Sequence, residues 1–161
     1  MLQLTKRTEY GLIALVYMAD RAGSVVSVRE ISEHYPVPRR LLAEVLKDLA
    51  RENLVDSLRG ATGGYVLARS PDEITLGGIV TALEGRPTLS SCESLAPARN
   101  GECELEPTCP IRSPLHRIRE GIWTLMERTT LRSLVQSGPI VALAAIDASR
   151  EPSSTPSAQP S

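Results

Sequence analysis

Phenylalanine is absent from this chain of 161 residues, which has one tryptophan and four tyrosines. Its core must therefore depend on Leu, Ile and Val rather than on aromatic rings. No run of about 18 apolar residues occurs, so no membrane-spanning helix is expected. The N-terminus lacks the basic, apolar and small-residue pattern of a secretory signal, and we therefore expect a cytoplasmic protein.

Cysteine is scarce as well. Three cysteines are too few, and odd in number, for a disulfide framework. In a reducing compartment such a cluster more often binds a metal or takes part in redox chemistry. No Ser-His-Asp pattern, phosphate-binding loop or dinucleotide fingerprint is present. The sequence therefore predicts that the chain is not an enzyme.

A strong excess of either charge is also missing, because the net charge is −1. The charges are nevertheless unevenly distributed. Residues 1–70 carry 10 Lys and Arg against 8 Asp and Glu, residues 71–110 carry 2 against 7, and residues 111–161 carry 6 against 4. DNA-binding domains are often strongly basic, so any contact with DNA here must come from a local patch.

Three helices are predicted in the first third of the chain. The apolar run at residues 8–20 has the length of a helix. A capping box at residues 27–30 begins a short second helix that must end before Pro36. A third helix is expected from Pro38 to about Asn53. Its apolar stripe comprises Leu41, Leu42, Val45, Leu46 and Leu49, and its opposite face comprises Arg40, Ala43, Glu44, Lys47 and Arg51. Two helices joined by a short turn, the second with a basic outer face, predict a helix-turn-helix.

Residues 55–69 follow the third helix as two short alternating runs around a Gly-rich turn that carries Arg59. This pattern predicts the wing of a winged helix-turn-helix and makes double-stranded DNA the expected partner. An arginine at the wing tip suits a narrow minor groove, where the potential is most negative. A solvent-exposed helix face beside an ordinary hairpin is the alternative interpretation.

Within the third helix, basic residues are placed where a recognition helix meets DNA. Arg39 and Arg40 lie at its start and are expected to reach base edges or phosphates, because an arginine fork pairs with two acceptors of guanine. Lys47 and Arg51 lie further along and better suit phosphates.

A helix from Thr75 through Glu84 is expected after the wing. Residues 88–111 are polar, contain all three cysteines and are interpreted as a loop, whose length suggests a function. Residues 114–128 predict an amphipathic helix with too little of its own chain to pack on, so a second subunit is expected to cover it. A short helix at 130–135 and a flexible tail, clearest at 149–161, complete the chain.

The predicted fold class is therefore mainly α with a small β-hairpin wing, in which a winged helix-turn-helix is followed by a long dimerisation helix. The domain organisation expected from these patterns has a DNA-binding domain at residues 1–86 and a cysteine-bearing loop at 87–112. A dimerisation helix region at 113–137 and a tail at 138–161 follow.

The cysteines Cys92, Cys103 and Cys109 have the spacing C-x10-C-x5-C. Iron–sulfur clusters are held by thiolates, usually four, so three would leave one position for another ligand. Zinc is an open alternative, although the close C-x2-C pair typical of zinc sites is missing. A disulfide switch is a third alternative, disfavoured because acidic neighbours raise thiol pKa values.

Several motifs together resemble one family, the bacterial winged-helix regulators that include IscR and NsrR and their iron- or redox-responsive relatives. They are the opening Leu4-Thr-Lys-Arg-Thr-Glu-Tyr-Gly-Leu12, the wing Arg59-Gly-Ala-Thr-Gly-Gly-Tyr65, Ile74-Thr-Leu-Gly-Gly-Ile-Val80 with Glu84-Gly85, and the three late cysteines. The resemblance covers about residues 1–137.

This resemblance implies a homodimer that binds a pseudo-palindromic operator through the third helix and wing, most simply as a repressor. In the cluster-binding members, three cysteines hold a [2Fe–2S] or [4Fe–4S] cluster whose state changes DNA affinity. Some relatives supply a fourth ligand from a carboxylate near the N-terminus of the partner subunit, which points to Glu9. Others use a histidine three residues after the last cysteine, but Arg112 occupies that place, so His116 is the other candidate.

A glutamate early in the third helix takes part in base selection in the family, whereas this chain has Ala43 there and Glu44 beside it. Two rival functions remain open from the residues alone. One is a cluster-free or zinc-binding regulator that responds to a ligand or partner protein. The other is a thiol redox protein.

Overall fold

The computed structural model describes residues 4–21, 23–60, 62–85 and 110–136. Within these ranges it contains six helices and a two-stranded antiparallel hairpin, which confirms the predicted fold class. The helices are α1 (Lys6–Asp20), α2 (Val28–His34), α3 (Arg39–Arg51), α4 (Leu76–Glu84), α5 (Arg112–Arg128) and α6 (Leu131–Val135). The strands are β1 (Val55–Leu58) and β2 (Gly64–Leu67).

Hydroxyl side chains begin four of the helices, as their sequences predict for α2 and α4. The Ser27 hydroxyl accepts a hydrogen bond from the Glu30 backbone N–H at 3.1 Å, and the Thr75 hydroxyl accepts one from Gly78 at 3.0 Å. The same pattern begins α1 at Thr5 and α6 at Thr130. These bonds satisfy N–H groups that have no partner within the helix.

Three details of the predicted helices need correction. The Glu30 carboxylate, expected to bond back to the Ser27 N–H, accepts a hydrogen bond from the Tyr17 hydroxyl at 3.0 Å. Helix α3 begins at Arg39 with Pro38 as its N-cap, one residue later than predicted. It ends at Arg51, because Asn53 has a φ of +56° and turns the chain towards β1.

The core lies between α1 and α3. Four of the five predicted stripe residues of α3 are fully buried, namely Leu42, Val45, Leu46 and Leu49, while Leu41 is half-buried. Gly11 lets α1 approach α3 and α4 closely. A Cβ at this position would lie 2.7 Å from Leu83 Cδ1 in α4 and 3.2 Å from Val45 Cγ1 in α3. Burying one face of α3 in this way leaves its opposite face in solvent.

The C-terminal end of α5 is attached to the winged domain through backbone hydrogen bonds. Leu76 N–H donates to the Thr129 carbonyl at 2.8 Å, and Leu131 N–H donates to the Ile74 carbonyl at 2.7 Å. Near this junction Met126 and Leu131 are buried. The predicted helix over 114–128 is thus confirmed, with a start two residues earlier.

One side of α5 has no such cover within the described chain. Ile118 is 53% exposed and Leu125 is 44% exposed, and Ile111 just before the helix is 58% exposed. Cys92, Cys103 and Cys109 lie outside the described residues, as do the rest of the predicted loop up to residue 109 and the predicted tail from residue 138. Arg112, placed at the end of that loop by the sequence, is the first residue of α5. No helix in the described ranges has the length and apolar content that crossing a bilayer requires.

Candidate DNA-binding interface

The outer face of α3 presents all of the basic residues that the sequence assigned to it. Arg39, Arg40, Lys47 and Arg51 are exposed, as is Glu44 between them. The Arg40 side chain is 95% exposed, and its Nε lies 3.5 Å from Glu44 Oε1 one turn along. A single exposed ion pair of this kind contributes little to stability, so both side chains remain available for other contacts.

The N-terminal end of α3 belongs to a network of three side chains that connects it to α2. Glu33 Oε1 accepts a hydrogen bond from Arg29 Nε at 2.7 Å and lies 3.3 Å from Arg39 Nη2. The hydrogen bond from Arg29 lowers the pKa of the Glu33 carboxyl, which therefore stays ionised around neutral pH. This carboxylate holds Arg39 and reduces the positive charge of the face.

A second carboxylate lies at the other end of α3. Asp48 accepts a hydrogen bond from Arg51 Nη1 at 2.7 Å and also pairs with Arg7 of α1. Among the described residues, Lys47 forms no ion pair with an acidic side chain. Lys47 and Arg40 are therefore the cations of α3 that are least committed to the protein itself.

The acidic partners of the basic residues on this face, Glu33 and Asp48, were not predicted from the sequence. Arg29 and Glu33 are four residues apart in α2, and Asp48 and Arg51 are three apart in α3, spacings that place side chains together on a helix. These two pairs could have been predicted from spacing alone. The contacts of Glu33 with Arg39 and of Asp48 with Arg7 depend on how the helices pack.

The hairpin after α3 has the geometry of a wing. Val55 pairs with Leu67 and Leu58 pairs with Gly64, which leaves Arg59 exposed in the connecting turn. Gly60 has a φ of +121°, a conformation that side chains disfavour. A Cβ on Gly63 would lie 2.4 Å from the Leu58 carbonyl oxygen, so the turn requires glycine there as well.

The wing is fixed to the rest of the domain by a third short extended segment. Val26 N–H donates to the Tyr65 carbonyl at 2.9 Å, and Tyr65 N–H donates to the Val26 carbonyl at 2.8 Å. Val26 immediately precedes Ser27, the N-cap of α2. The hairpin is consequently held at a defined position relative to the helix-turn-helix, with its tip extending into solvent.

Three aromatic rings stabilise the turn between α2 and α3. His34 lies 5.3 Å from Tyr17 and 4.7 Å from Tyr35, measured between ring centroids, and Tyr17 and Tyr35 are 5.9 Å apart. The Arg21 guanidinium lies 3.7 Å from the centroid of the Tyr17 ring. These contacts support a structural role for His34, because its ring packs against the residues that orient α3.

The two candidates for a fourth cluster ligand are both on described helices. Glu9 lies in the first turn of α1, is partly exposed, and pairs with Lys6. His116 lies on α5, where its Nδ1 is 2.9 Å from Arg119 Nη2, which leaves Nε2 as the nitrogen for a ligand bond. Within the described ranges, no three His, Cys, Asp or Glu side chains are grouped as a metal site.

In the sequence, Cys109 comes shortly before the first turn of α5. Cys109 is followed by Pro110 and by Ile111, the N-cap of α5, which supplies no side-chain hydrogen bond to the first turn. The uncapped N–H groups of a helix start carry a positive partial charge. A thiolate close to such an end is stabilised relative to the thiol.

Known transcriptional regulators are similar to this chain over most of its length. A family model described as Rrf2, iron-dependent transcriptional regulator, matches residues 4–137. CymR, the global cysteine regulator of B. subtilis, is 29% identical, with 84% of this chain and 97% of that chain covered and a TM-score of 0.66. A putative transcriptional regulator from Listeria innocua is 28% identical, with 85% and 88% covered and a TM-score of 0.69.

IscR of T. potens is also similar in structure. It is 24% identical, covers 94% of this chain and 93% of its own, and has a TM-score of 0.63, which shows a shared fold. The resemblance drawn from the sequence motifs is thereby confirmed. The members of this family are transcription regulators rather than enzymes, and they bind DNA through a winged helix. The match extends over both the winged domain and the long helix, and the chain belongs to the Rrf2 family of transcriptional regulators.

Proposed function

We propose that this regulator is a homodimeric repressor that binds a pseudo-palindromic operator. Its affinity for the operator would depend on an iron–sulfur cluster held by Cys92, Cys103 and Cys109. The observation that carries the DNA-binding part is the exposed face of α3 beside a wing tip that carries Arg59. The cluster part rests on the three cysteines and on the sequence position of Cys109, three residues before the first residue of α5.

In DNA binding, α3 would enter the major groove with its buried stripe turned to the protein. Arg40, at the start of the helix, would reach a base edge or a phosphate, and Lys47 would meet the phosphate backbone. Arg39 and Arg51 would reach DNA only in competition with Glu33 and Asp48. Glu44 stands one turn after Arg40 and is suited to accept a hydrogen bond from a cytosine amino group.

Dimerisation through α5 is supported by the spacing of its exposed apolar residues. Ile111, Leu115, Ile118, Ile122 and Leu125 follow one another at intervals of four, three, four and three residues. This is the heptad pattern of helices that pair along a narrow seam. Because three of these side chains are about half exposed in one protomer, a second α5 is the cover that we propose.

The charges of α5 indicate how the two helices would run. Its N-terminal half carries Arg112, Arg117 and Arg119, whereas its C-terminal half carries Glu120 and Glu127 together with Arg128. A parallel pair would place the arginines of both copies side by side. An antiparallel pair places them near the partner's carboxylates, and a twofold axis then presents two α3 helices to successive major grooves.

The donor set fits an iron–sulfur cluster. Three thiolates match the usual ligands, and the positive end of α5 favours the charged form of Cys109. We propose Glu9 of the second subunit as the fourth ligand, which requires its release from Lys6, with His116 Nε2 as the alternative. A bound cluster would supply sensitivity to iron supply, oxidation or nitric oxide. The cysteines would tie the loop at 87–112 to α5 and thereby to the dimer seam.

A second candidate function is favoured by a specific observation. CymR, described as a global cysteine regulator, is more similar to this chain than IscR of T. potens, at 29% against 24% identity. A cluster-free regulator that responds to a sulfur-containing metabolite or a partner protein would use the same DNA-binding face. The visible spectrum of the purified protein separates the two candidates.

Glu33→Gln tests whether α3 is the DNA-binding face. Removing this carboxylate releases Arg39 and adds one net positive charge, so we expect about two- to fivefold tighter DNA binding at moderate salt. Fluorescence anisotropy with an operator duplex measures the change, and Glu73→Gln in the turn before α4 is the matched control. Unchanged or weaker binding by Glu33→Gln would contradict this assignment of the face.

Arg59→Ala tests the wing. Loss of the tip guanidinium should weaken DNA binding and reduce the slope of log K against log salt by about one unit. Arg69→Ala removes the same charge just beyond the other end of the hairpin and should leave the slope unchanged. If both variants retain the wild-type slope, the wing tip does not contact phosphates.

Ile118→Glu tests the dimer seam. A charge placed in an apolar interface must be desolvated, so the dissociation constant of the dimer should rise by about tenfold or more. Thr124→Glu adds the same charge on the opposite side of α5, where the side chain is exposed, and should leave the dimer intact. Analytical ultracentrifugation over a concentration series provides the measurement. Equal self-association of the two variants would exclude this seam.

Cys103→Ala tests the cluster. The wild-type protein purified without oxygen should show visible absorption and contain bound iron and sulfide. This variant should lose the absorption, the iron and the sulfide while remaining a folded dimer. Ser91→Ala, beside Cys92, is the control and should keep them. A colourless wild-type protein that contains zinc, or no metal at all, would refute the cluster and favour the second candidate.

A further inference from the structure

Asp48 of α3 lies between two arginines that belong to different helices. Its Oδ2 pairs with the Arg7 guanidinium of α1, and its Oδ1 accepts a hydrogen bond from Arg51 Nη1 at 2.7 Å. The Arg51 side chain is 75% exposed, whereas the Arg7 side chain is 38% exposed. Asp48 itself is 20% exposed, so its carboxylate is partly shielded from solvent.

The difference in exposure indicates which of the two ion pairs is the stronger one. Water and salt screen the attraction of Asp48 for the well-exposed Arg51 more than its attraction for Arg7. Arg7 lies in the first turn of α1, and its Nε is buried with no hydrogen-bond partner in the described chain. Asp48 is therefore held more firmly by Arg7 than by Arg51.

The first turn of α1, which carries Arg7, is fixed to the end of α4. Glu84 Oε1 accepts hydrogen bonds from the Thr5 backbone N–H at 2.8 Å and from the Thr5 hydroxyl at 2.7 Å. A carboxylate in the last turn of a helix is disfavoured by the helix dipole, and these two bonds offset that cost for Glu84. Arg7 is thus presented to Asp48 from a turn that is held in a fixed position.

We propose that Arg7 is a positioning residue for DNA binding, which keeps Asp48 paired while Arg51 moves to a DNA phosphate. Without Arg7, the departure of Arg51 would leave a partly buried carboxylate with no cation, and an unpaired charge in such a place is costly. With Arg7 in place, the carboxylate keeps one partner and repels nearby phosphates less. The inference rests on the DNA-binding face proposed above and extends it to a residue of α1.

Direct binding of DNA by Arg7 is the alternative role. The Arg7 guanidinium is directed at Asp48 and its Nε is buried, so few of its N–H donors remain for a phosphate. The neighbouring Lys6 is 72% exposed and pairs with Glu9 instead of with α3. Because these adjacent cations differ in their link to α3, Lys6 provides a matched control for Arg7.

A double-mutant cycle between Arg7 and Asp48 tests the proposal. Arg7→Gln should weaken operator binding about three- to tenfold and lower the slope of log K against log salt by about one unit, because Arg51 then stays with Asp48. Lys6→Gln removes the same charge and should weaken binding less than about twofold with the slope unchanged. In the Asp48→Asn background, which keeps an oxygen acceptor, Arg7→Gln should cost no more than Lys6→Gln. Fluorescence anisotropy of the full-length protein over a salt series measures both quantities.

Two results of this cycle would overturn the proposal. An equal loss from Arg7→Gln in the Asp48 and Asp48→Asn backgrounds would mean that Arg7 contacts DNA itself. A loss no greater than that from Lys6→Gln would leave Arg7 without a special role. Arg40→Gln separates this inference from the DNA-binding face, because only unchanged binding by that variant refutes the face as well.

Arg51→Gln keeps the proposal testable if Arg7→Gln does not fold. Position 51 is well exposed, so this variant leaves the core untouched. It should lower the salt slope by about one unit, since Arg51 is the residue that meets the phosphate. An unchanged slope would show that Arg51 does not reach DNA and would overturn the proposed role of Arg7.

Discussion

The burial of one face of α3 against α1 is the constraint on which the rest of the domain depends. Leu42, Val45, Leu46 and Leu49 are fully buried, and a helix with 3.6 residues per turn must then present its other side to solvent. The same contacts that form the core therefore direct Arg40 and Lys47 towards solvent. Any change that loosens this packing would alter stability and DNA recognition together.

The face that α3 presents is not uniformly basic. Glu33 holds Arg39 from the preceding helix, and Asp48 holds Arg51 while also pairing with Arg7 of α1. The net charge of −1 arises mainly from the excess of Asp and Glu in residues 71–110, not from these two carboxylates. Glu33 and Asp48 hold Arg39 and Arg51 in defined positions and reduce the positive charge that would attract DNA non-specifically.

Most of the fold could be predicted from the sequence because its signals are local. The Ser27 and Thr75 caps, the stripe of α3 and the Gly-rich turn at Arg59 each act over a few neighbouring residues. The contacts that escaped prediction, such as Glu33 with Arg39 and Tyr17 with Glu30, join residues from separate elements whose relative positions only packing determines. The cysteines lie outside the residues that the structure describes, so their function stays a prediction from the sequence.

The central claim is that the outer face of α3 and the wing tip contact DNA together. Amide hydrogen exchange of the dimer, measured with and without an operator duplex, tests it residue by residue. We expect slower exchange on binding in two stretches, the start of α3 around Arg39 and Arg40, and the turn from Leu58 to Gly64. Protection confined to α5, with these two stretches unchanged, would contradict the claim that α3 and the wing tip contact DNA.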